Sequence, residues 1–438
     1  MDRPRPGSES LMSTGQLSSA ELRQELGLAP DRPYFEGFSP LGLPSPCFVV
    51  DRAALQYNLD ILETIAETSG AKILAALKAF SSYHLFDQIS ASLSGGCASG
   101  VYEARLAREH IGREVHVFAP AYTEEELDEL LTLADHIVFN NLHQWLRFQD
   151  RCLAAQLIRP NLSYGIRVNP EHSEGTTAIY DPCAPYSRLG ITRRQWDSEL
   201  ASAQASGRST DELLRGLAGF HFHTLCEQGS EPLERTVQAF IRNWGDLLRH
   251  PRITWLNLGG GHHITKPDYN RNLLIDILRK TSKDFAVQMY LEPGEAVAIH
   301  TGILASQLVD IHTNHRTLGI LNISATCHMP DTLEMPYTPA IWGAQVADVQ
   351  GPLHSTTRHL YRLGGQTCLA GDVIGDYSFP RPLEIGDWVI FDDMSHYTIV
   401  KTTTFNGIPL PSLASYDSRT GKTEVLRTFG YEDFKSRL

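Results

Sequence analysis

The chain predicts an α/β fold: a parallel (β/α)8 barrel followed by a C-terminal β-sandwich or β-barrel domain. Three observations carry this expectation. Short apolar runs alternate with amphipathic helical patterns over about 250 residues. Beyond about residue 300, strand-like runs follow one another with turn signals between them and no long amphipathic helix. The length of 438 residues exceeds that of a typical single domain.

Residues 1–43 are rich in Ser, Pro, Gly and charge and read as a mobile N-terminal extension, with Ser18-Ser19-Ala20-Glu21 able to cap a short helix. Residues 44–305 read as the barrel and 306–438 as the β domain. The first strand, 46–50, is assignable to either. Asp51 suits the start of a helix whose apolar positions Leu55, Leu59, Ile61, Leu62 and Ile65 mostly share one face. Strands are expected at Ile73–Leu77, Val115–Phe118, Ile137–Phe139, Leu162–Val168, Leu217–Phe222, Trp255–Leu258 and Val287–Leu291. Gly95-Gly96-Cys97-Ala98-Ser99 reads as a turn following another strand. Helices are expected at Tyr102–His110, Glu124–Leu133, 232–249 and 270–281. The β domain is expected to hold strands at Ile303–Ile311, Leu318–Ala325, Thr357–Leu363, Trp388–Phe391 and Tyr397–Lys401.

A net charge of −13 argues against a nucleic-acid partner. No stretch approaches the apolar length of a membrane span, and the first 25 residues lack the apolar core of a secretory signal. Seven scattered cysteines read as free thiols in a reducing compartment, and the expectation is a cytoplasmic protein. Without a CxxC pair or an HExxH run, no metal is expected.

The residues able to carry chemistry sit at strand ends, where α/β folds place their sites. Lys78 follows Ile73–Leu77. Partial desolvation there would lower its ammonium pKa and free an amine able to form a Schiff base, including one with pyridoxal phosphate. A surface lysine capping the strand satisfies the same decapeptide. Gly259-Gly260-Gly261 follows Trp255–Leu258 and offers backbone amides to a phosphate, or a plain flexible turn. Glu292, in Glu292-Pro293-Gly294, places a carboxylate where it can bond a protonated pyridine nitrogen, or simply close a turn. Alternation sends His221 and His223 to one face, where an imidazole can stack on an aromatic ring, bind a metal or sit satisfied in the core. Tyr397 reads as a strand residue whose hydroxyl can donate to a phosphate oxygen, or as an aromatic core residue. Cys368 lies in a loop, an apt place for a reactive side chain.

Together these pieces resemble the alanine-racemase-fold (fold type III) PLP-dependent decarboxylases, which include the ornithine and diaminopimelate enzymes. The motifs run in order from about Pro46 to about Pro411: Ala76-Leu77-Lys78-Ala79, Cys97-Ala98-Ser99-Gly100, Phe222-His223, Gly259–Gly261, Glu292-Pro293-Gly294, Thr367-Cys368, and Tyr397 before Thr404-Phe405-Asn406-Gly407. Within the group the chain looks most like the carboxynorspermidine/carboxyspermidine branch. Glu295 stands where ornithine-type enzymes have an arginine after Glu-Pro-Gly. Thr224-Leu225-Cys226-Glu227 replaces their Gly-Ser, and the run Cys327 to Pro336 is a feature that they lack.

The resemblance implies pyridoxal 5'-phosphate on Lys78, His223 stacked on its ring and Glu292 on its ring nitrogen. It implies Gly259, Gly260, Gly261 and Tyr397 at the phosphate, and Arg167 near the ring. It further implies a homodimer with shared sites, in which Cys368 enters the partner's site and protonates the carbon that loses CO2. Glu295, Asp331 and Asp372 are candidates for binding the ammonium groups of a polyamine substrate. The implied reaction is decarboxylation of carboxynorspermidine or carboxyspermidine to norspermidine or spermidine. Its rivals are a diaminopimelate or other basic amino-acid decarboxylase and a silent relative that binds polyamine or protein partners.

Overall fold

A computed structural model describes residues 18–175, 178–347 and 359–438. In it the chain divides into two compact units, Asn58–Val297 and the chain up to Tyr57 joined with Ala298–Leu438. β1 (Cys47–Asp51) belongs to the second of these. The barrel strands follow: β2 (Lys72–Ala76), β3 (Gly95–Ala98), β4 (Glu114–Phe118), β5 (His136–Phe139), β6 (Ser163–Arg167), β7 (Leu217–His221), β8 (Trp255–Asn257) and β9 (Gln288–Leu291).

β2 to β9 pair in chain order, each parallel to the next, and β9 closes onto β2. The strands are short and mostly buried, as a sheet covered on both faces requires. Helices such as Val101–His110, Glu124–Leu133, Ser230–Leu248 and Arg271–Phe285 connect them. The helix Arg52–Ser69 buries Leu55, Leu59, Leu62 and Ile65 along one stripe. Inside the barrel, Leu74, Val138, Trp255 and Tyr290 form a core. Trp255 fits because the neighbouring strands present glycine. A Cβ on Gly219 would lie 2.0 Å from the indole, and one on Gly165 2.3 Å.

The glycine pair Gly95-Gly96 is a strand rather than the expected turn. A Cβ on Gly95 would meet the Glu114 carbonyl oxygen at 1.9 Å, and one on Gly96 the Leu77 side chain at 2.9 Å. Here glycine serves close approach between neighbours, which its usual reading as a turn signal hides.

The second unit is built on a mixed nine-stranded sheet. After β1 come β10 (Gly302–Asn314), β11 (Arg316–Leu321), β12 (Gln345–Val346), β13 (His359–Gly364), β14 (Val373–Phe379), β15 (Trp388–Phe391), β16 (Ser412–Asp417) and β17 (Lys422–Arg427). The order is β12-β14-β13-β11-β10-β1-β16-β17, with β15 also on β10. β10 forks the sheet: its first half pairs with β1 and β15, and its second half with β11.

Alternation along the central strands feeds two cores. Phe48 and Leu304 enter one, with Leu363, Tyr377 and Phe391. Cys47, Val49, Ile303 and Ala305 enter the other. That second face is covered by Tyr34, Phe35 and Phe38, which pack on Trp342 and Tyr416. Residues 18–43 are therefore part of the fold and not an extension; residues 1–17 lie outside the described ones. Ser18 does cap the helix Ser19–Glu25, in a reciprocal box with Glu21. Asp51 accepts from the Ala53 amide at 3.0 Å, as a helix start requires, and also from the Phe35 amide at 2.8 Å, which pins this segment. Because β1 bonds β10 and β16, the units divide after Tyr57 and before Ala298 rather than at 43/44 and 305/306.

Two more strand expectations fail. Leu318–Ala325 ends as a strand at Leu321, and Ala325–His328 is a helical turn capped by Ser324. Tyr397–Lys401 is a turn, with Tyr397 at φ 51° and Asp393 at φ 55°, a left-handed backbone that no strand can hold. Of Thr357–Leu363, the first two residues lie outside the described ones.

Candidate active site

In the barrel unit, the expected residues gather at the carboxyl ends of the strands. Lys78 lies in the turn after β2, exposed among buried neighbours, so the expected desolvation is not met. Its charge bears on Cys97, His221, His223 and Cys226. Cys97 comes from β3, Arg167 from the end of β6, His221 from the end of β7, Asn257 from the end of β8, and Glu292 directly follows β9.

Glu292 is the centre of this group. Its Oε1 accepts from Asn257 Nδ2–H at 2.7 Å, and His221 Nε2 lies 3.2 Å from its Oε2. Burial alone would raise its pKa. The neighbouring His221, its hydrogen bond, His116 and Asn257 outweigh that and hold the carboxyl at about 2. The Cys97 thiol is pushed well up by burial and then by Glu292. Burial lowers the His221 pKa, opposed by Glu292, and its Nε2–H is the donor to the carboxylate. Among the described residues, no lysine or arginine forms an ion pair with Glu292.

His223 accepts at Nδ1 from the Gly260 amide at 2.9 Å, and burial, then Lys78 and Arg167, push it well below its usual range. Its Nε2 therefore carries the hydrogen. Arg167 donates to the His223 carbonyl at 3.0 Å and lies 4.5 Å over the Phe118 ring. Burial lowers its pKa to about 10, opposed by Glu292, which leaves it a cation at neutral pH.

The glycine loop departs from the expected cradle in detail. The Gly259 amide donates to Asn257 Oδ1 at 2.9 Å and the Gly260 amide to His223, so both are engaged within the loop. The loop is tightly seated: a Cβ on Gly260 would lie 2.1 Å from the Glu292 carbonyl oxygen, and one on Gly261 1.9 Å from that of Leu225. Gly259 and Gly261 have φ of 69° and 83°, which glycine alone adopts freely. Glu295 is half-buried beside this loop, its Oε1 3.0 Å from His263 Nε2.

The remaining candidates belong to the sheet unit. Cys368 is exposed, and its amide donates to Asn406 Oδ1 at 2.8 Å. Asp331 pairs with Lys401, which Glu334 also contacts. Asp372 is buried and accepts from the amides of Ala325, Thr326 and Thr367 and from the Thr367 hydroxyl. Its Oδ1 takes the Ala325 and Thr326 amides and its Oδ2 the two Thr367 donors. Tyr397 is half-buried in its left-handed turn.

Asn257 and His263 were missed. Asn257 ends a buried strand one residue before the glycines, a polar residue in an apolar run, and that was its signal. His263 gave none, since its partner comes from a different loop.

The barrel-end group fits a pyridoxal cofactor. It offers an accessible amine, a seated glycine loop and a half-buried carboxylate with no lysine or arginine partner among the described residues. The fold and this group define a pyridoxal-dependent enzyme, and the chain belongs to the pyridoxal-dependent decarboxylase family. The family model described as "Pyridoxal-dependent decarboxylase, C-terminal sheet domain" matches residues 47–395. The chain is 42% identical over 398 residues to a carboxyaminopropylagmatine decarboxylase of Synechocystis sp., covering 90% of this chain and 96% of that one. It is 38% identical to the carboxynorspermidine/carboxyspermidine decarboxylase of Campylobacter jejuni, covering 90% and 98%. A crystal structure of the C. jejuni carboxynorspermidine decarboxylase with norspermidine superposes with a TM-score of 0.79 at 36% identity, over 90% of this chain and 100% of that one. The first of these names a substrate that the motifs did not suggest.

Proposed function

We propose that the chain decarboxylates a carboxylated linear polyamine, carboxynorspermidine or carboxyspermidine, with pyridoxal 5'-phosphate on Lys78. The observation that carries this reading is Glu292, a half-buried carboxylate held by Asn257 and His221 at the barrel rim, in a chain alike over nearly its whole length to enzymes of that name. When bound, the cofactor supplies an electron sink for the pair left by departing CO2.

The residues divide the remaining work. Lys78 would hold the cofactor through its amine. Glu292 accepts a hydrogen bond from the ring nitrogen and keeps that nitrogen protonated. His223, fixed by Gly260, stacks on the ring. Arg167 supports that stack through the His223 carbonyl. The Gly261 amide would bind the cofactor phosphate. Cys368 of the partner subunit gives its proton to the carbon that loses CO2, so the working unit is a homodimer. Glu295 would accept from a substrate ammonium group. Seven cysteines free of disulfides support a cytoplasmic setting.

A second reading, carboxyaminopropylagmatine as substrate, is favoured by the 42% identity to the Synechocystis enzyme. The same carboxylate can accept from a guanidinium, and it can do so through both oxygens only if it releases His263. Purified protein loaded with cofactor is assayed for CO2 from carboxynorspermidine, carboxyspermidine, carboxyaminopropylagmatine, diaminopimelate and ornithine. Release from a carboxy-triamine, together with an absorbance band near about 420 nm that Lys78→Ala abolishes, is the expected result. Release from the agmatine derivative alone selects the second reading, and release from none of the first three overturns both.

A further inference from the structure

Glu292 is held by an amide and an imidazole, with no lysine or arginine on it among the described residues. A buried anion is normally matched by a cation, because an unmatched charge is costly. Here Asn257 Nδ2–H bonds one oxygen at 2.7 Å and His221 Nε2 stands 3.2 Å from the other. His221 is 2% exposed and sits on Phe118, with ring centroids 5.5 Å apart. The cation Arg167 lies over the same Phe118 ring, not against the carboxylate. With Nε2–H directed at Glu292, His221 Nδ1 is a buried acceptor with no hydrogen-bond partner among the described residues. The imidazole thus has one polar engagement, and it is with Glu292.

We propose that His221, seconded by Asn257, is a positioning residue that fixes the Glu292 carboxylate as an anion aimed at a cationic ring nitrogen. This rests on the functional reading of Glu292 given above. Glycine and small residues in these strands serve packing. A histidine at the last position of β7 with its Nδ1 unsatisfied has no packing reason to be polar. Phenylalanine would fill the same space without leaving a buried acceptor unpaired. The Nε2–H bond to Glu292 is what distinguishes the two. The ionisable groups that bear on the pair are Lys78, Arg167, Cys97 and, from the far end of the barrel, His116. The pH readout must be taken against that set.

The test uses the full-length protein loaded with 15N-labelled pyridoxal phosphate and compares wild type, His221→Phe and His221→Gln. The phenylalanine variant should lose roughly 10- to 100-fold in kcat with KM within about 3-fold, the loss expected for one hydrogen bond to a charged group acting in the transition state. Its ring-nitrogen resonance should move toward the unprotonated position, and that nitrogen should titrate at lower pH than in wild type. Glutamine, which keeps an N–H able to reach Glu292, should recover most of kcat and of the nitrogen signal. If His221→Phe does not fold, His221→Asn, polar but too short to reach Glu292, carries the same expectation. The proposal is overturned if the nitrogen resonance is unchanged in the folded Phe or Asn variant, or if Gln is impaired as deeply as Phe. A wild type that binds no cofactor or releases no CO2 overturns the functional reading instead, so the two failures are distinct.

Discussion

Two carboxylates lie inside the same barrel, at opposite ends of its strands, and their surroundings differ in one respect. Glu114, at the amino end of β4, pairs with the Lys72 ammonium. Its other oxygen is 3.2 Å from His116 Nε2 and accepts from the Tyr290 hydroxyl at 3.2 Å. Glu292, at the carboxyl end of β9, has no lysine or arginine partner among the described residues and is held by Asn257 and His221. Burial raises the pKa of both, and hydrogen bonds and neighbouring charges bring both down to about 2. Glu114 has its counter-charge within the fold and so is a matched structural pair. Glu292 has no lysine or arginine partner among the described residues, only an amide and an imidazole, which suits a site for a cationic ring.

The comparison predicts that neutralising the two carboxylates separates activity from stability. The largest effect is expected at Glu292→Gln, which should lower kcat by roughly 10²- to 10³-fold, the loss typical of a preorganised electrostatic group. Steady-state kinetics beside a thermal melt checks this; a melt shifted more than that of Glu114→Gln would mean that Glu292 is the structural acid. Next comes packing at the amino end. Gly219→Ala drives a methyl into Trp255 and should destabilise the barrel by about 3 kcal/mol, a thermal midpoint roughly 6–12 °C lower.

Glu114→Gln should cost about 1–2 kcal/mol with turnover within about 3-fold. Chemical denaturation of the variant measures it, and a large loss of kcat would show that the two ends are coupled through His116. The pH dependence sharpens the same contrast. A carboxyl near 2 in the fold and near 4.5 when unfolded stabilises the protein above about pH 4.5, and that contribution is lost as pH falls toward 2. Acid unfolding of Glu114→Gln should therefore be shallower than wild type across that window, and a parallel curve would deny the pairing.

The smallest effect concerns zinc. Glu114, His116 and His136 bring possible ligand atoms within 4.8 Å of one another. However, the two imidazoles are stacked, 3.9 Å apart and 11° from parallel. Imidazole lone pairs lie in the ring plane, so near-parallel rings do not converge on one ion at the ~2.1 Å that zinc needs. Added zinc should leave the thermal midpoint unchanged. A rise that His116→Asn removes would show that the stack opens.

The candidate site was legible where the fold exposes strand ends. Lys78, His223, Gly259–Gly261 and Glu292 each follow a buried apolar run, and the barrel places such ends around one rim. What was misread depended on partners remote in sequence. Asp372 looks like any loop carboxylate until four donors from 325–326 and 367 are found on it. Tyr34, Phe35 and Phe38 look like part of a Ser- and Pro-rich extension until Trp342 and Tyr416 meet them. Tyr397 carries the aromatic signal of a strand, and nothing local announces its positive φ.

By itself the sequence determined the alternation of apolar runs and helical faces, and with it the barrel and the residues at its rim, because period and strand length are local properties. Only the tertiary structure decided which polar atoms are already engaged, namely the amides of Gly259 and Gly260, the oxygens of Asp372 and those of Glu114, and which carboxylate has no lysine or arginine partner among the described residues. A hydrogen bond or ion pair needs two groups brought together in space, and in this chain the decisive partners come from different strands and loops.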